Sequence, residues 1–235
     1  MEKGKLICIV GSDSSGKETQ TKLLLENFQK DGINCKSMDF PQYNTPTGKI
    51  VGQCYLGKDF GFGQGSWFGD SDKVNPKIAA LYYAGDRLFS KPKMENILNS
   101  GTNLILDRYY QDNMAHQGGK LKTKKERLEM INWLQTLELE LLKIPKEDMT
   151  TFLYMPTEIA IELREKREKI TGEKPDGHEN NIGHLKRANK TFLELTDYLN
   201  WTKIDCATGT TIDTLKTPKQ ISREVYTQVK NKLKI

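Results

Sequence analysis

The 235-residue sequence has no apolar stretch that approaches the roughly 20 residues a bilayer-crossing helix needs, which excludes a membrane span. Its N-terminus, Met-Glu-Lys-Gly-Lys before a short apolar run from Leu6 to Val10, lacks the longer hydrophobic segment and small-residue cleavage site of a secretory signal. A cytoplasmic protein is expected. No C-x-x-C pair is present: Cys8, Cys35, Cys54 and Cys206 lie far apart, three of them in apolar runs, which points to buried free thiols rather than a metal or disulfide framework. No Pro/Gly/Ser-rich linker, internal repeat or low-complexity tract divides the chain, so a single domain over 1–235 is expected, long enough to bury a continuous core. A basic stripe interleaved with aromatics is also missing. The net charge of +5 is spread along the chain beside 31 acidic residues, which argues against a nucleic-acid partner and suits a small polyanionic ligand.

What is present is an alternation of strand and helix signals. Lys5 to Val10 reads as a buried strand, followed by a glycine-bounded turn and a helix over Lys17 to Lys30 with Leu23, Leu24 and Phe28 inward. Further strands are expected at Asn34 to Phe40, Asn103 to Leu106, Thr151 to Met155 and Thr202 to Cys206. Helices are expected at Pro76 to Asn99, Lys124 to Lys143, Glu158 to Lys169 and Asn181 to Leu199. The final helix carries Thr217 as N-cap, Pro218 at its first position and Gln220 three after the cap, before Ile221, Val225, Val229 and Leu233. The pattern predicts an α/β three-layer fold whose five-stranded parallel sheet is flanked by helices. Gly57 to Asn75 is predicted to be a long surface loop of glycines and aromatics, and loops of that length are usually functional or mobile. The polar stretch Thr171 to Gly183 is predicted to be the tip of a lid running from about 157 to 183.

Gly11-Ser12-Asp13-Ser14-Ser15-Gly16-Lys17 fits G-x-x-x-x-G-K directly after a strand and opening a helix. The glycines let the backbone wrap around a phosphate, successive N–H groups and the helix N-terminus point at it, and Lys17 reaches the outer phosphates. ATP is therefore the expected ligand of Gly11, Ser12, Asp13, Ser14, Ser15, Gly16, Lys17, Glu18 and Thr19. The residue after Lys17, usually a magnesium-binding Ser or Thr, is Glu18. Thr19 then takes the Mg²⁺ role, as in loops of the adenylate-kinase type that displace the hydroxyl by one residue.

Set beside that loop, Asp107-Arg108-Tyr109-Tyr110 followed by Asn113-Met114-Ala115-His116-Gln117-Gly118-Gly119 resembles the thymidylate kinase family. Supporting pieces in matching order are Phe40-Pro41, Tyr55-Leu56-Gly57-Lys58-Asp59-Phe60-Gly61, Tyr83-Ala84-Gly85-Asp86-Arg87, Trp133 to Leu137 before Ile144-Pro145, and Asp176-Gly177-His178-Glu179. The resemblance implies a P-loop kinase that moves the ATP γ-phosphate onto dTMP, and a homodimer. It implies that Arg108 grips the acceptor phosphate and that Asp107 stands near magnesium. It further implies a cis bond at Phe40-Pro41, Tyr83 stacked on the base, Arg87 on a base carbonyl, Asn113 and Gln117 in the pocket, and Asp13 receiving the sugar 3′-hydroxyl. His116 stands where the family often has a Tyr that crowds the ribose 2′ position.

The phosphate loop holds no arginine, so the catalytic cation is expected from the lid, with Arg167 and Arg164 the candidates, in that order; phosphoryl transfer needs positive charge on the moving group. The alternative for this cluster is a solvated face interleaved with Glu162, Glu165 and Glu168. His178 is read as a lid-tip contact and His184 as a surface residue. Two other readings stay open: a kinase for another deoxynucleoside monophosphate, and a non-catalytic ATP-binding regulator, which Glu18 favours.

Overall fold

The computed structural model describes residues 2–61, 63, 65–172 and 181–235. Phe62 of the glycine-aromatic loop and the Asp176-Gly177-His178-Glu179 motif of the expected lid tip lie outside the described residues. Five strands form one parallel sheet in the order β2-β3-β1-β4-β5: β1 (Leu6–Gly11), β2 (Cys35–Asp39), β3 (Asn103–Asp107), β4 (Met149–Tyr154) and β5 (Thr202–Asp205). The helices are α1 (Lys17–Lys30), α2 (Pro46–Ile50), α3 (Pro76–Asn99), α4 (Tyr110–Gly118), α5 (Lys124–Gln135), α6 (Thr157–Thr171), α7 (Ile182–Leu199) and α8 (Pro218–Leu233).

Both faces of the sheet are covered because β1 and β3 are apolar at every interior position, and the two-residue period sends alternate side chains to opposite layers. Leu6, Cys8, Val10, Leu104 and Leu106 pack with Met94, Met114, Ile131, Leu134 and Phe192 on one face. Ile7, Ile9 and Ile105 pack with Leu24, Phe28, Ile159, Ile221 and Val225 on the other. All four cysteines are buried free thiols within these layers and the adjoining wall. Strand β1 is central, with the chain leaving it toward β2 on one side and crossing to β4 on the other. The carboxyl ends of β1 and β3 therefore flank the crevice where open α/β sheets bind ligands.

The five predicted strands are all present, with ends that agree to within two residues. The Thr217 cap of α8 accepts from Gln220 N at 3.3 Å and the Gln220 side chain answers at Thr217 N at 2.8 Å, the reciprocal pair read from sequence. Three helical features differ from expectation. Helix α2, with the π-helical turn Val51–Tyr55 that follows it, was not predicted. The helix predicted over Lys124 to Lys143 is α-helical only to Gln135 and continues as a π-helical turn, Thr136–Leu141. Helix α4 was not predicted as a helix. All nine of its residues are buried, polar ones included, so it shows no amphipathic stripe.

Candidate active site

The β1–α1 connection has the form its glycines require. A Cβ on Gly11 would lie 2.6 Å from Ser15 Oγ and 2.8 Å from Leu153 O, so a side chain there would displace its neighbours, while Gly16 has open space around it but sits at φ +86°, a left-handed backbone that strains any L side chain. Lys17 is buried, its Nζ donating to Gly11 O at 3.0 Å and Ser12 O at 2.8 Å. Burial and the nearby Arg108 charge lower its pKa from the ordinary ammonium value. Ser12 and Ser15 Oγ are buried with no hydrogen-bond partner among the described residues. Glu18 and Thr19 are exposed at the start of α1.

Where β3 ends, Arg108 is held at φ +65°, a costly backbone for an arginine that directs its side chain across the crevice. Its Nη2 donates to Asp13 Oδ1 at 2.6 Å, and its Nη1 lies 3.6 Å from Asp112 Oδ1. Burial would raise the Asp13 carboxyl, but Arg108 and then His116 and Lys17 hold it well below the usual carboxylate range. Asp107 is shifted upward by burial, and its Oδ1 has no hydrogen-bond partner among the described residues. Burial raises Asp112 to about 6; its Oδ2 accepts from Tyr109 N at 3.3 Å, at the start of α4.

A cavity of about 550 Å³, its open mouth included, joins these groups to an aromatic wall. Asp13 and Arg108 stand at one end; Phe40, Pro41, Tyr83, Arg87, Asn113, His116 and Gln117 line the remainder, with Tyr43, Leu56, Tyr109 and Asp112. The structure thus gathers every acceptor-side residue expected from sequence. The Phe40–Pro41 peptide is cis, and the turn is fastened by Gln42 N donating to Asp86 Oδ2 at 2.8 Å. Two side-chain amides share one arrangement. Asn113 Nδ2 donates to Ala80 O at 3.3 Å and Gln117 Nε2 to Tyr55 Oη at 3.4 Å, while Asn113 Oδ1 and Gln117 Oε1 have no partner among the described residues. Each presents a buried acceptor, which an N–H or O–H of a ligand would satisfy.

Several positions depart from the sequence reading or were missed by it. Arg87 is 1% exposed and its Nε donates to both carboxylate oxygens of Glu138 at 3.1 Å, with Nη2 also on Oε1. Glu138 had not been singled out, yet it sits four after Leu134 and seven after Ile131, on the apolar stripe, and a lone charge there signals a buried partner. His184, expected at the surface, is fully buried: its backbone sits in the first turn of α7, but its ring inserts between His116 and Asp72. On α6, Arg164 is half-buried and Arg167 exposed, and neither lines the cavity.

The family profile described as Thymidylate kinase matches residues 9–216. Among curated proteins, the thymidylate kinase of Plasmodium falciparum (isolate 3D7) is 26% identical over 159 residues, covering 68% of this chain and 65% of that protein. That of Dictyostelium discoideum is 27% identical, with 68% and 62% covered, and that of Homo sapiens is 26% identical, with 87% and 84% covered. The chain spans just under two thirds of the length of the first two of these relatives. A solved thymidylate kinase from Candida albicans, whose structure is described as revealing the origin of broad substrate specificity, superposes with a TM-score of 0.66. It is 25% identical, with 98% of this chain and 94% of that one covered.

Proposed function

Because this chain belongs to the thymidylate kinase family, we propose that it transfers the γ-phosphate of ATP to dTMP, giving dTDP and ADP. The observation that carries this reading is the cavity. It runs from a phosphate loop and a strand-end arginine to an aromatic wall with two unspent amide oxygens, a length and polarity that suit a pyrimidine nucleotide. Residues 1–235 act as a single kinase domain with a lid from about 157 to 183. The loop from Gly11 to Lys17 cradles the ATP phosphates, Lys17 neutralising charge on the outer ones, with Glu18 and Thr19 following at the start of α1. Arg108 grips the acceptor phosphate bidentately, and Asp13, kept anionic by Arg108, accepts from a sugar hydroxyl. An oxygen of the acceptor phosphate, already an anion at neutral pH, attacks the γ-phosphorus. The bond to the β–γ bridging oxygen breaks, and ADP leaves with that electron pair.

Tyr83 and Phe40, beside Pro41, sandwich the base. Arg87, its guanidinium plane fixed by Glu138, addresses a ring carbonyl, and Asn113 and Gln117 present acceptors to ring or sugar donors. Arg167 and Arg164 reach the transferring group when the lid closes over it, supplying the charge that the phosphate loop lacks. The donor set near the phosphates fits Mg²⁺: Thr19 offers a hydroxyl and Asp107 a buried, unpaired carboxylate oxygen, hard ligands of the kind Mg²⁺ takes alongside nucleotide phosphates. When bound, the ion would screen charge on the β- and γ-phosphates. A homodimer is proposed through α3, where Ile78, Leu81, Leu88 and Phe89 expose one apolar stripe; a cytoplasmic location accompanies this reading, and no described helix is long and apolar enough to cross a membrane.

The test is ADP release with ATP and Mg²⁺ against dTMP, dUMP, dCMP, dGMP, dAMP and UMP. A preference for dTMP supports the reading to the level of the base pocket, and preference for another monophosphate reassigns Arg87, Asn113 and His116. Silence across the panel sinks it in favour of a non-catalytic ATP-binding protein.

A further inference from the structure

The pair His116–His184 is buried, stacked with ring centroids 5.3 Å apart, and continues to Asp72 in the glycine-aromatic loop. Three contacts define it. His116 Nδ1 and His184 Nε2 are 3.0 Å apart, His184 Nδ1 and Asp72 Oδ1 are 3.0 Å apart, and Arg187 Nη2 donates to Asp72 Oδ2 at 2.6 Å. Asp72 is ionised: burial would raise it, but the His184 and Arg187 hydrogen bonds lower it below the ordinary value. An ionised carboxylate only accepts, so His184 Nδ1 must carry the hydrogen it donates. Burial disfavours the charged form of both rings, pushing His116 down to about 3 and His184 below its usual value. A neutral His184 protonated at Nδ1 has a lone pair at Nε2, which obliges His116 to donate from its own Nδ1. The remaining ring nitrogen of His116, Nε2, is then an acceptor on a side chain that lines the cavity.

Resting on the kinase reading above, we propose that Asp72 and His184 are positioning residues that lock His116 in the Nδ1–H tautomer, so that its Nε2 can accept a hydrogen bond from the 2′-hydroxyl of a ribose-containing acceptor nucleotide, the 3′-hydroxyl proton being taken by Asp13. The sugar is the relevant part because His116 stands between the two ends of the site. It is one turn beyond Asn113 on α4, on the base side, and within the electrostatic reach of Asp13, Arg108 and Lys17 on the phosphate side. The relay also ties the acceptor pocket to two elements outside it. Asp72 belongs to the loop that Lys120 fastens through Ser71 O at 2.6 Å, and His184 opens α7 directly after the lid.

The tautomer is read directly by long-range ¹H–¹⁵N correlation on histidine-labelled protein. Nδ1–H at both His116 and His184 is expected; Nε2–H at His116 overturns the inference, whatever the activity. The functional arm compares kcat/KM for dTMP, its 3′-deoxy analogue and its ribose counterpart. His184→Phe should change the discrimination between dTMP and its ribose counterpart by about fivefold to tenfold, the scale of one hydrogen bond, through KM more than kcat. His184→Gln, whose amide can donate to Asp72 and accept from His116, should restore it. A shift confined to the ribose compound supports the 2′-hydroxyl assignment, and one confined to the 3′-deoxy compound overturns it. Unchanged discrimination in both His184→Phe and His116→Phe overturns the proposal. Wild-type protein inactive on every monophosphate while the Nδ1–H tautomers are present counts instead against the kinase reading.

Discussion

Glu138→Gln isolates the energetics of the base end of the cavity, because it keeps the volume of the side chain and removes only its charge. Arg87 is 1% and Glu138 0% exposed, and the pair is bidentate, so the guanidinium keeps no comparable solvent to fall back on. Burial opposes its charge and the variant loses the rise that Glu138 provides, but the ordinary arginine pKa is so high that the residue stays cationic in the variant's core. Removing one partner of a buried pair costs about 3–5 kcal/mol. For a chain of this size each kcal/mol moves Tm by about 2–4 °C, so a fall of roughly 6–20 °C is expected at neutral pH. Urea unfolding of the parent, Glu138→Gln and the double variant Arg87→Met with Glu138→Leu provides the check. The double variant should recover most of the loss, because replacing both charges with apolar groups of similar volume is often neutral or stabilising. It should nevertheless bind dTMP more weakly, having lost the cavity guanidinium. A Glu138→Gln protein within about 1 kcal/mol of the parent would refute the reasoning, since solvent or another group would then have to be compensating Arg87.

Asp112 should make stability fall as pH rises from about 4 to about 6, by about 3 kcal/mol, because its raised folded pKa means the folded state holds that proton more tightly than the unfolded chain. Asp112→Asn, which keeps an oxygen for Tyr109 N–H, should flatten that window in urea titrations and stabilise the protein above it; an unchanged slope would assign the window to other groups. Lys17→Ala should lower kcat by at least about 10²–10³-fold with an unchanged circular dichroism spectrum, and near-normal turnover would remove the phosphate-loop argument. Arg167→Ala should reduce kcat by about 10²-fold while changing KM for dTMP little, and the reverse pattern would make it a binding residue. Thr19→Val should raise the Mg²⁺ concentration needed for half-maximal rate; no change would hand that role to another group.

The parts of the molecule legible in the sequence are those whose determinants are local. β1, its glycine turn and α1 are encoded within residues 5–30, and the cap, proline and four-residue apolar spacing of α8 lie within residues 217–233. Helix α4 was illegible as a helix because its polar residues are buried against the cavity and against neighbouring helices, so the contrast that periodicity detects is absent. The π-helical turn Thr136–Leu141 was read as ordinary helix, since its sequence keeps an apolar rhythm and nothing local marks where the hydrogen-bond register changes. His184 was misread for a related reason. It sits in a polar stretch beside the expected lid, and its ring contacts are with His116 and with Asp72, 112 positions away.

Three buried supporting residues share a geometry that bears on specificity. Glu138 lies behind Arg87, His184 behind His116, and Asp86 behind the Phe40–Pro41 turn, and none of the three supporting side chains lines the cavity itself. Each fixes a rotamer, a tautomer or a backbone turn of a lining residue through a buried contact spanning between 44 and 68 positions of sequence. A pocket of this kind has its chemistry specified twice, once by the residues that touch the nucleotide and once by buried partners that decide what those residues present. Two chains with identical lining residues can therefore differ in acceptor choice. A phosphate loop offers no such latitude, because its ligand contacts are largely backbone N–H groups set by the glycines themselves. Substitutions at Glu138, His184 or Asp86 should accordingly act on the ratio of kcat/KM between acceptors, and leave KM for ATP nearly unmoved. A change in ATP KM as large as the change in acceptor preference would mean that the two halves of the site are not separable in this way.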